Sequence, residues 1–113
     1  MQTYQGSCHC GHLKFSVALD LSSGASRCNC SICTKTAISG AIARPAAFNA
    51  LTDEATLGTY EWASKTAQRY FCKTCGVHGY GRGHLEFLGG DYVSVNVNCL
   101  DGIELSSLPI CAS

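Results

Sequence analysis

The sequence predicts a mainly β domain with little helix. Two segments, residues 12–19 and 92–98, alternate apolar and polar side chains at a period of two, which is typical of half-buried strands. Glycine-containing connections separate these segments from several shorter strand candidates. The length of 113 residues is enough for one hydrophobic core, so we expect a single domain over residues 1–113.

The strand candidates are justified by the faces they would bury. The first segment places four apolar side chains on one face, namely Leu13, Phe15, Val17 and Leu19. The last segment does the same with Val93, Val95 and Val97. Between them lie shorter candidates at residues 37–43, 57–62 and 67–71.

Turn and helix signals are short. Turns are expected at residues 22–24, at Asn29 and at residues 101–102, and a helical turn at residues 45–48, where Pro45 would take the first helical position. Residues 76–83 contain four glycines. We interpret this segment as a run of bends, and the alternative is a mobile flap over a metal site.

Composition excludes several classes of partner. Eight Lys and Arg residues balance eight Asp and Glu residues, and no basic stripe is present, so we expect no nucleic-acid partner. No apolar run of about 18 residues exists, so we expect no membrane partner. The first residues show neither a basic nor an apolar leader region, which favours a cytoplasmic protein. Nine cysteines in such a protein favour metal binding over disulfides, because the cytosol keeps thiols reduced.

Two of the cysteine clusters supply half a metal site each. Cys8 and Cys10 form a C-x-C pair, in which residues two apart on extended chain point to the same side. Cys72 and Cys75 form a C-x-x-C turn followed by Gly76, which lets the backbone bend around an ion. Together the four thiols would make a closed tetrahedral zinc site of the structural kind. The alternative is that they are buried apolar cysteines.

The middle cluster has three cysteines, one fewer than a closed zinc site needs. Cys28, Cys30 and Cys33 provide three thiols, and three protein ligands with one open position are the pattern of catalytic zinc. The alternative is a second structural site completed by a distant residue, for which the candidates are His9, His78, Cys99 and Cys111. An iron–sulfur cluster is an alternative at either site. We expect Cys99 to be a core thiol and Cys111 to be unconstrained.

In this order, the three clusters resemble the glutathione-dependent formaldehyde-activating enzyme family, which includes centromere protein V. The resemblance rests on residues 6–11 (GSCHCG), 28–33 (CNCSIC) and 69–76 (RYFCKTCG), and on residues 95–102 as a closing strand and turn. It covers about residues 3–105, which would form the core of the domain.

The resemblance implies several small coiled antiparallel β-sheets that are cross-linked by zinc. It implies two zinc ions per chain, a structural one on Cys8, Cys10, Cys72 and Cys75 and a catalytic one on Cys28, Cys30 and Cys33 with an exchangeable fourth position. The implied activity is that of a carbon–sulfur lyase similar to S-(hydroxymethyl)glutathione synthase, which joins formaldehyde to glutathione. The implied partner is therefore a small thiol such as glutathione.

Such a reaction needs a proton donor or acceptor near the thiol. His78 and His84 are the candidates, because histidine titrates near neutrality, and ordinary loop histidines are the alternative. Four cationic residues could hold substrate carboxylates or be solvated surface charges, namely Lys35, Arg44, Arg69 and Arg82. A zinc-stabilised binding module without catalysis is the alternative for the whole chain.

Overall fold

Two β-sheets form the part of the chain that the computed structural model describes, which is residues 2–21, 25–27, 35, 39–62, 67–85, 89–103 and 110–112. In chain order the strands are β1 Gln2–Ser7, β2 Lys14–Leu19, β3 Ala25–Arg27, β4 Gly40–Ala43, β5 Phe48–Ala50, β6 Gly58–Trp62, β7 Ala67–Phe71, β8 His78–Leu85, β9 Gly90–Asn96 and β10 Ile110–Ala112. Short 3-10 turns lie at Pro45–Ala47, Glu54–Thr56 and Val97–Cys99. The mainly β prediction is confirmed.

The smaller sheet has the strand order β1-β2-β5, and the larger has the order β10-β3-β4-β9-β8-β7-β6. Neighbouring strands are antiparallel except β10 and β3, which are parallel. The parallel pair is one departure from the expected antiparallel sheets. How far a single domain extends over residues 1–113 stays a prediction. No helix among the described residues is long and apolar enough to cross a membrane.

The core lies between the two sheets and uses the alternation expected from the sequence. The side chains of Leu13, Phe15 and Val17 are at most 1% exposed, and those of Val93, Val95 and Val97 are fully buried. Four aromatic rings join the sheets, with centroid distances of 5.5 Å for Phe15–Phe48, 4.6 Å for Phe48–Tyr80 and 5.1 Å for Tyr70–Tyr80. Burial of such alternating faces supplies most of the free energy that holds the sheets together.

Most predicted elements are found, with shifted ends. The segment 67–71 is β7, the segment 57–62 contains β6, and the 3-10 turn at Pro45–Ala47 has its proline at the start as expected. The turn at residues 101–102 is present. The expected turns at residues 22–24 and at Asn29, and the first part of the 37–43 segment, lie outside the described residues.

The interpretation of residues 76–83 as bends, or as a flap, is wrong from His78 onward. These residues belong to β8, which pairs with β7 on one side and β9 on the other. Its glycines alternate with larger residues because neighbouring side chains lie where a Cβ would project. A Cβ on Gly79 would meet Leu13 Cδ2 at 2.5 Å, and one on Gly83 would meet the Tyr92 hydroxyl at 2.5 Å.

The two ends of the chain are also more ordered than expected. Cys111, expected to be unconstrained, belongs to β10 and pairs in register with Ser26 of β3. Gln2–Ser7, for which no strand was predicted, forms β1 along the whole length of β2. Both segments are short and largely lack period-two apolar alternation, so the pairing strand, and not the local sequence, determines their conformation.

Candidate functional site

Two hairpin loops bring four cysteines together at one end of the molecule. Cys8 and Cys10 lie between β1 and β2, and Cys72 and Cys75 lie between β7 and β8. Their sulfur atoms all lie within 4.8 Å of one another, with Cys8–Cys10 at 3.6 Å and Cys10–Cys72 at 3.5 Å. Four thiolates bound at 2.3 Å around a tetrahedral ion would have sulfurs about 3.8 Å apart. The cluster therefore has the donor set and the spacing to hold a metal ion such as zinc.

The first loop is built to present its sulfurs. The Cys8 N–H donates to the Leu13 carbonyl at 3.0 Å, and the Leu13 N–H donates back to Cys8 Sγ at 3.3 Å. The Gly11 N–H donates to the Cys8 carbonyl at 3.2 Å and closes the turn. Gly11 has a φ of 88°, a left-handed conformation that glycine adopts without a steric penalty. The glycine after the C-x-C pair is thus required by the backbone.

The second loop has the same pattern of backbone hydrogen bonds and the same left-handed glycine. The Cys72 N–H donates to the Val77 carbonyl at 3.0 Å, and the Gly76 N–H donates to the Cys72 carbonyl at 2.8 Å. Gly76 has a φ of 79°. The N–H groups of Thr74 and Cys75 point at Cys72 Sγ, at 3.4 and 3.5 Å. N–H groups aimed at sulfur stabilise its negative charge, as expected for an outer layer of contacts around a metal site.

These N–H groups also favour the thiolate form that metals bind. The N–H groups of Cys10 and Val77 lower the pKa of Cys75 to about 6. Those of Cys75 and Thr74 lower the pKa of Cys72, against the effect of its burial. The N–H of His12 lowers the pKa of Cys10, but hydrogen bonding to the Cys72 sulfur and desolvation outweigh it and raise that pKa to about 11. Without a metal ion, Cys10 therefore keeps its proton at neutral pH, and a metal that binds to the cluster would displace it.

The second cysteine cluster, Cys28, Cys30 and Cys33, lies outside the described residues. The residues that flank it are placed, however. Arg27 ends β3, and Ser39, which is 2% exposed, accepts a hydrogen bond from the Val97 N–H at 2.8 Å. Gly40, next to Ser39, pairs with Ser26 of β3 on one side and with Asn96 of β9 on the other. Because β9 also pairs with β8, Arg27 and Ser39 lie at the end of the larger sheet where His78 begins β8.

His78 is half-buried and incompletely hydrogen-bonded. Its ring lies 5.2 Å from the Phe71 ring, and Nδ1 is buried without a hydrogen-bond partner among the residues that the structure describes. Its backbone carbonyl accepts a hydrogen bond from Asn96 Nδ2 at 2.8 Å. Desolvation, assisted by the positive charge of Arg69, lowers the pKa of His78. The imidazole is therefore neutral at pH 7, with Nε2 as the ring nitrogen left to meet a ligand.

His84 lies at the other end of the same strand. Its Nδ1 is 2.8 Å from Asp91 Oδ1, and both side chains are largely exposed. His84 is six positions along the strand from His78, which corresponds to about 20 Å at 3.3 Å per residue. One small substrate cannot contact both histidines.

The four cationic candidates have different surroundings. Arg69 is 9% exposed, so it is not a solvated surface charge. Arg82 is half-buried and donates to Glu54 Oε2 from Nε at 3.1 Å and from Nη2 at 3.0 Å. Arg44 and Lys35 are exposed.

Glu54 is a residue that sequence reasoning missed. The same Oε2 that binds Arg82 accepts the Tyr80 hydroxyl at 2.6 Å, and desolvation and this hydrogen bond raise the pKa of Tyr80 strongly. Glu54 follows the N-cap Asp53, whose side chain accepts from the Ala55 N–H at 3.0 Å. No local sequence signal pairs Glu54 with residues that follow it by 26 and 28 positions.

Cys99 and His9 are two further residues that the sequence offers as the fourth ligand of the second metal site. Cys99 is 8% exposed, and its thiol donates to the His78 carbonyl at 3.6 Å. Burial raises its pKa to about 11, which keeps it a protonated core thiol as expected. His9, between the first two cysteines, is exposed.

Comparison with known proteins points to one family. The model of the family described as glutathione-dependent formaldehyde-activating enzyme matches residues 3–109. Among solved structures, the chain is similar to a Rhodobacter sphaeroides protein determined by structural genomics, with a TM-score of 0.81 and 28% sequence identity. That alignment covers 96% of this chain and 99% of the Rhodobacter chain.

Proposed function

The chain belongs to the glutathione-dependent formaldehyde-activating enzyme family, and on that premise we propose that it is a zinc-dependent carbon–sulfur lyase resembling S-(hydroxymethyl)glutathione synthase. Its substrate would be a small thiol, glutathione or a similar molecule, and an aldehyde such as formaldehyde. The observation that carries the proposal is the family match over residues 3–109, within which all three clusters lie.

We assign the two cysteine sets different roles. Cys8, Cys10, Cys72 and Cys75 hold a structural zinc, for which the sulfur spacing and the N–H groups aimed at sulfur are the support. Cys28, Cys30 and Cys33 hold a second zinc with an open position, for which the support is their count and the resemblance. When bound there, zinc would supply a positive charge that lowers the pKa of a substrate thiol. Such thiolates suit a reducing compartment, so we propose a cytoplasmic location.

His78, and not His84, is the proposed catalytic histidine. As the C–S bond forms, the carbonyl electron pair moves to oxygen, the thiol loses its proton to solvent and the oxygen gains one. The buried Nδ1 of His78 has no acceptor in the described part of the chain, which favours the tautomer with the proton on Nε2. A neutral Nε2–H can donate a hydrogen bond to that oxygen as it becomes negative. His78 also lies at the end of the sheet where the flanks of the Cys28–Cys33 segment meet.

The test measures the exchange between free and hydroxymethylated glutathione by NMR, with zinc-loaded protein at catalytic concentration. We expect acceleration that Cys30→Ser abolishes and that His78→Gln reduces by about 10²-fold, the lower end of the usual range for a positioned proton donor. His84→Gln, a matched change about 20 Å away, should leave the rate within a factor of two.

Two results would overturn the proposal. One is a rate in Cys30→Ser equal to that of the wild type. The other is an effect that saturates at one equivalent of protein, because this would show adduct binding without turnover and favour the zinc-stabilised binding module. Circular dichroism of each variant confirms that the fold is retained.

A further inference from the structure

A groove of about 320 Å³ lies at the end of β8 that is remote from His78. Its lining consists of Pro45, Gln68, Arg82, Gly83, His84, Asp91 and Tyr92. The volume is at the lower end of the range for small-molecule sites. Since His84 is about 20 Å from His78 along β8, this groove is separate from the proposed reaction centre.

The inner part of the groove presents hydrogen-bond donors in fixed positions. Arg82 is held by Glu54 through Nε and Nη2, and its guanidinium packs on the Phe48 ring at 5.2 Å. Glu54 binds the Nε and Nη2 side of the guanidinium, so the Nη1 group lies on its other side, and the Tyr70 hydroxyl is also close to the guanidinium. Gln68 uses Oε1 to accept the Tyr70 hydroxyl at 3.0 Å, which orients its NH₂ group as a second donor. Such a pair of donors suits a carboxylate.

The mouth of the groove presents a hydrogen-bond acceptor instead of donors. Asp91 is 77% exposed and uses Oδ1 to bind His84 Nδ1, which leaves Oδ2 as an acceptor. Arg82, by comparison, is 35% exposed. The groove is therefore polarised, with donors inside and a carboxylate at its entrance.

The net charge around the groove disfavours a simple anion. The positive charges of Arg82 and of Arg44, which lies against Gly89 outside the lining, equal in number the negative charges of Glu54 and Asp91. If the His84 imidazole is not counted, the net charge of these four groups is near zero. The groove therefore attracts a monoanion only weakly. A molecule with separate negative and positive ends matches both parts of the groove.

From this geometry we propose that the groove is a second binding site, for a small zwitterion of the α-amino acid class. The carboxylate of the ligand lies against Arg82 Nη1 and the Gln68 amide, and its ammonium group lies against Asp91 Oδ2. The site requires no metal and does not depend on the proposed reaction.

The test compares L-alanine with propionate, which has the same carboxylate and no ammonium group. Each is titrated into ¹⁵N-labelled, zinc-loaded protein and followed by amide shifts. We expect saturable shifts at Gly83, His84 and Tyr92, with alanine binding about tenfold more tightly than propionate, as one charge-assisted contact would give. In Asp91→Asn the preference should fall to about one, while propionate affinity is retained.

Asp101→Asn is the matched control, because Asp101 is an exposed acid in a turn outside the groove. It should keep the tenfold preference. Absence of saturable shifts at the groove with both ligands would overturn the proposal. So would an alanine preference that survives Asp91→Asn, because Asp91 would then not contact the ammonium group.

Discussion

Two sets of contacts of different chemistry hold connecting segments of the chain against the larger sheet. The four-cysteine cluster connects the β1–β2 loop to the β7–β8 loop through sulfur atoms 3.5–4.8 Å apart. The second set, which we call the Glu54 network, connects Glu54 to Tyr80 and Arg82 through complete hydrogen bonds of 2.6–3.1 Å. The network is satisfied by protein atoms alone, whereas the proposed role of the cluster requires a metal ion in place of its thiol protons. The two should therefore respond differently to substitution.

The largest expected effect is that of Cys72→Ser. Cys72 is fully buried and its sulfur accepts two N–H groups. Structural zinc contributes about 10–16 kcal/mol of binding free energy to folding, so we expect this variant to lose one metal ion and to unfold. Circular dichroism and metal analysis measure the outcome. Cys99→Ala, which removes a buried thiol outside the cluster, is the control that should keep both metal and fold. A folded Cys72→Ser protein with wild-type melting temperature would contradict the structural role.

Glu54→Gln should have an intermediate effect. It leaves Arg82 without its counter-charge and weakens the bond to Tyr80, which we expect to cost about 1–2 kcal/mol because charged hydrogen bonds contribute at this level and the pair is partly exposed. Metal content should not change. Urea unfolding measures the loss, with Asp91→Asn, at an exposed pair, as the near-neutral control. A loss of metal in Glu54→Gln would show that the two sets of contacts are not independent.

Gly76→Ala tests the backbone of the cluster. Nothing lies within 4 Å of the added Cβ, so the change is free of clashes. The φ of 79° remains, and we expect a cost of about 1–2 kcal/mol for a left-handed residue with a Cβ. Gly76→Asn should cost less, since asparagine tolerates this conformation. Equal stability of the alanine variant and the wild type, measured by urea unfolding, would show that the loop rearranges.

The smallest expected effect is the pH dependence due to His78. Burial lowers its pKa in the folded state below the ordinary value of 6.5. The unfolded chain therefore binds a proton first, so this contribution to stability is present above about pH 6.5 and is lost as the pH falls through the folded pKa. NMR titration of the imidazole should give a pKa below 6.5, and His78→Phe should remove part of the acid sensitivity. A titration midpoint above 6.5 would contradict the burial of Nδ1.

The sequence was informative wherever a local pattern determined the structure. Period-two alternation identified the buried faces of β2 and β9, and the glycine after the C-x-x-C pair marked the left-handed turn at Gly76. The sequence was uninformative where contacts between distant residues determine the structure. The glycines of β8 hid a central strand, because glycine is depleted in strands and is present here to admit Leu13 and Tyr92. Glu54 gave no signal, since its partners are 26 and 28 residues away.

The central claim is that Cys8, Cys10, Cys72 and Cys75 hold a zinc ion by themselves. Zinc K-edge X-ray absorption on Cys30→Ser tests this most directly, because that variant should retain one zinc ion per chain. We expect a first shell of four sulfur atoms at about 2.3 Å. A shell that contains nitrogen or oxygen ligands, or a folded variant without zinc, would contradict the claim.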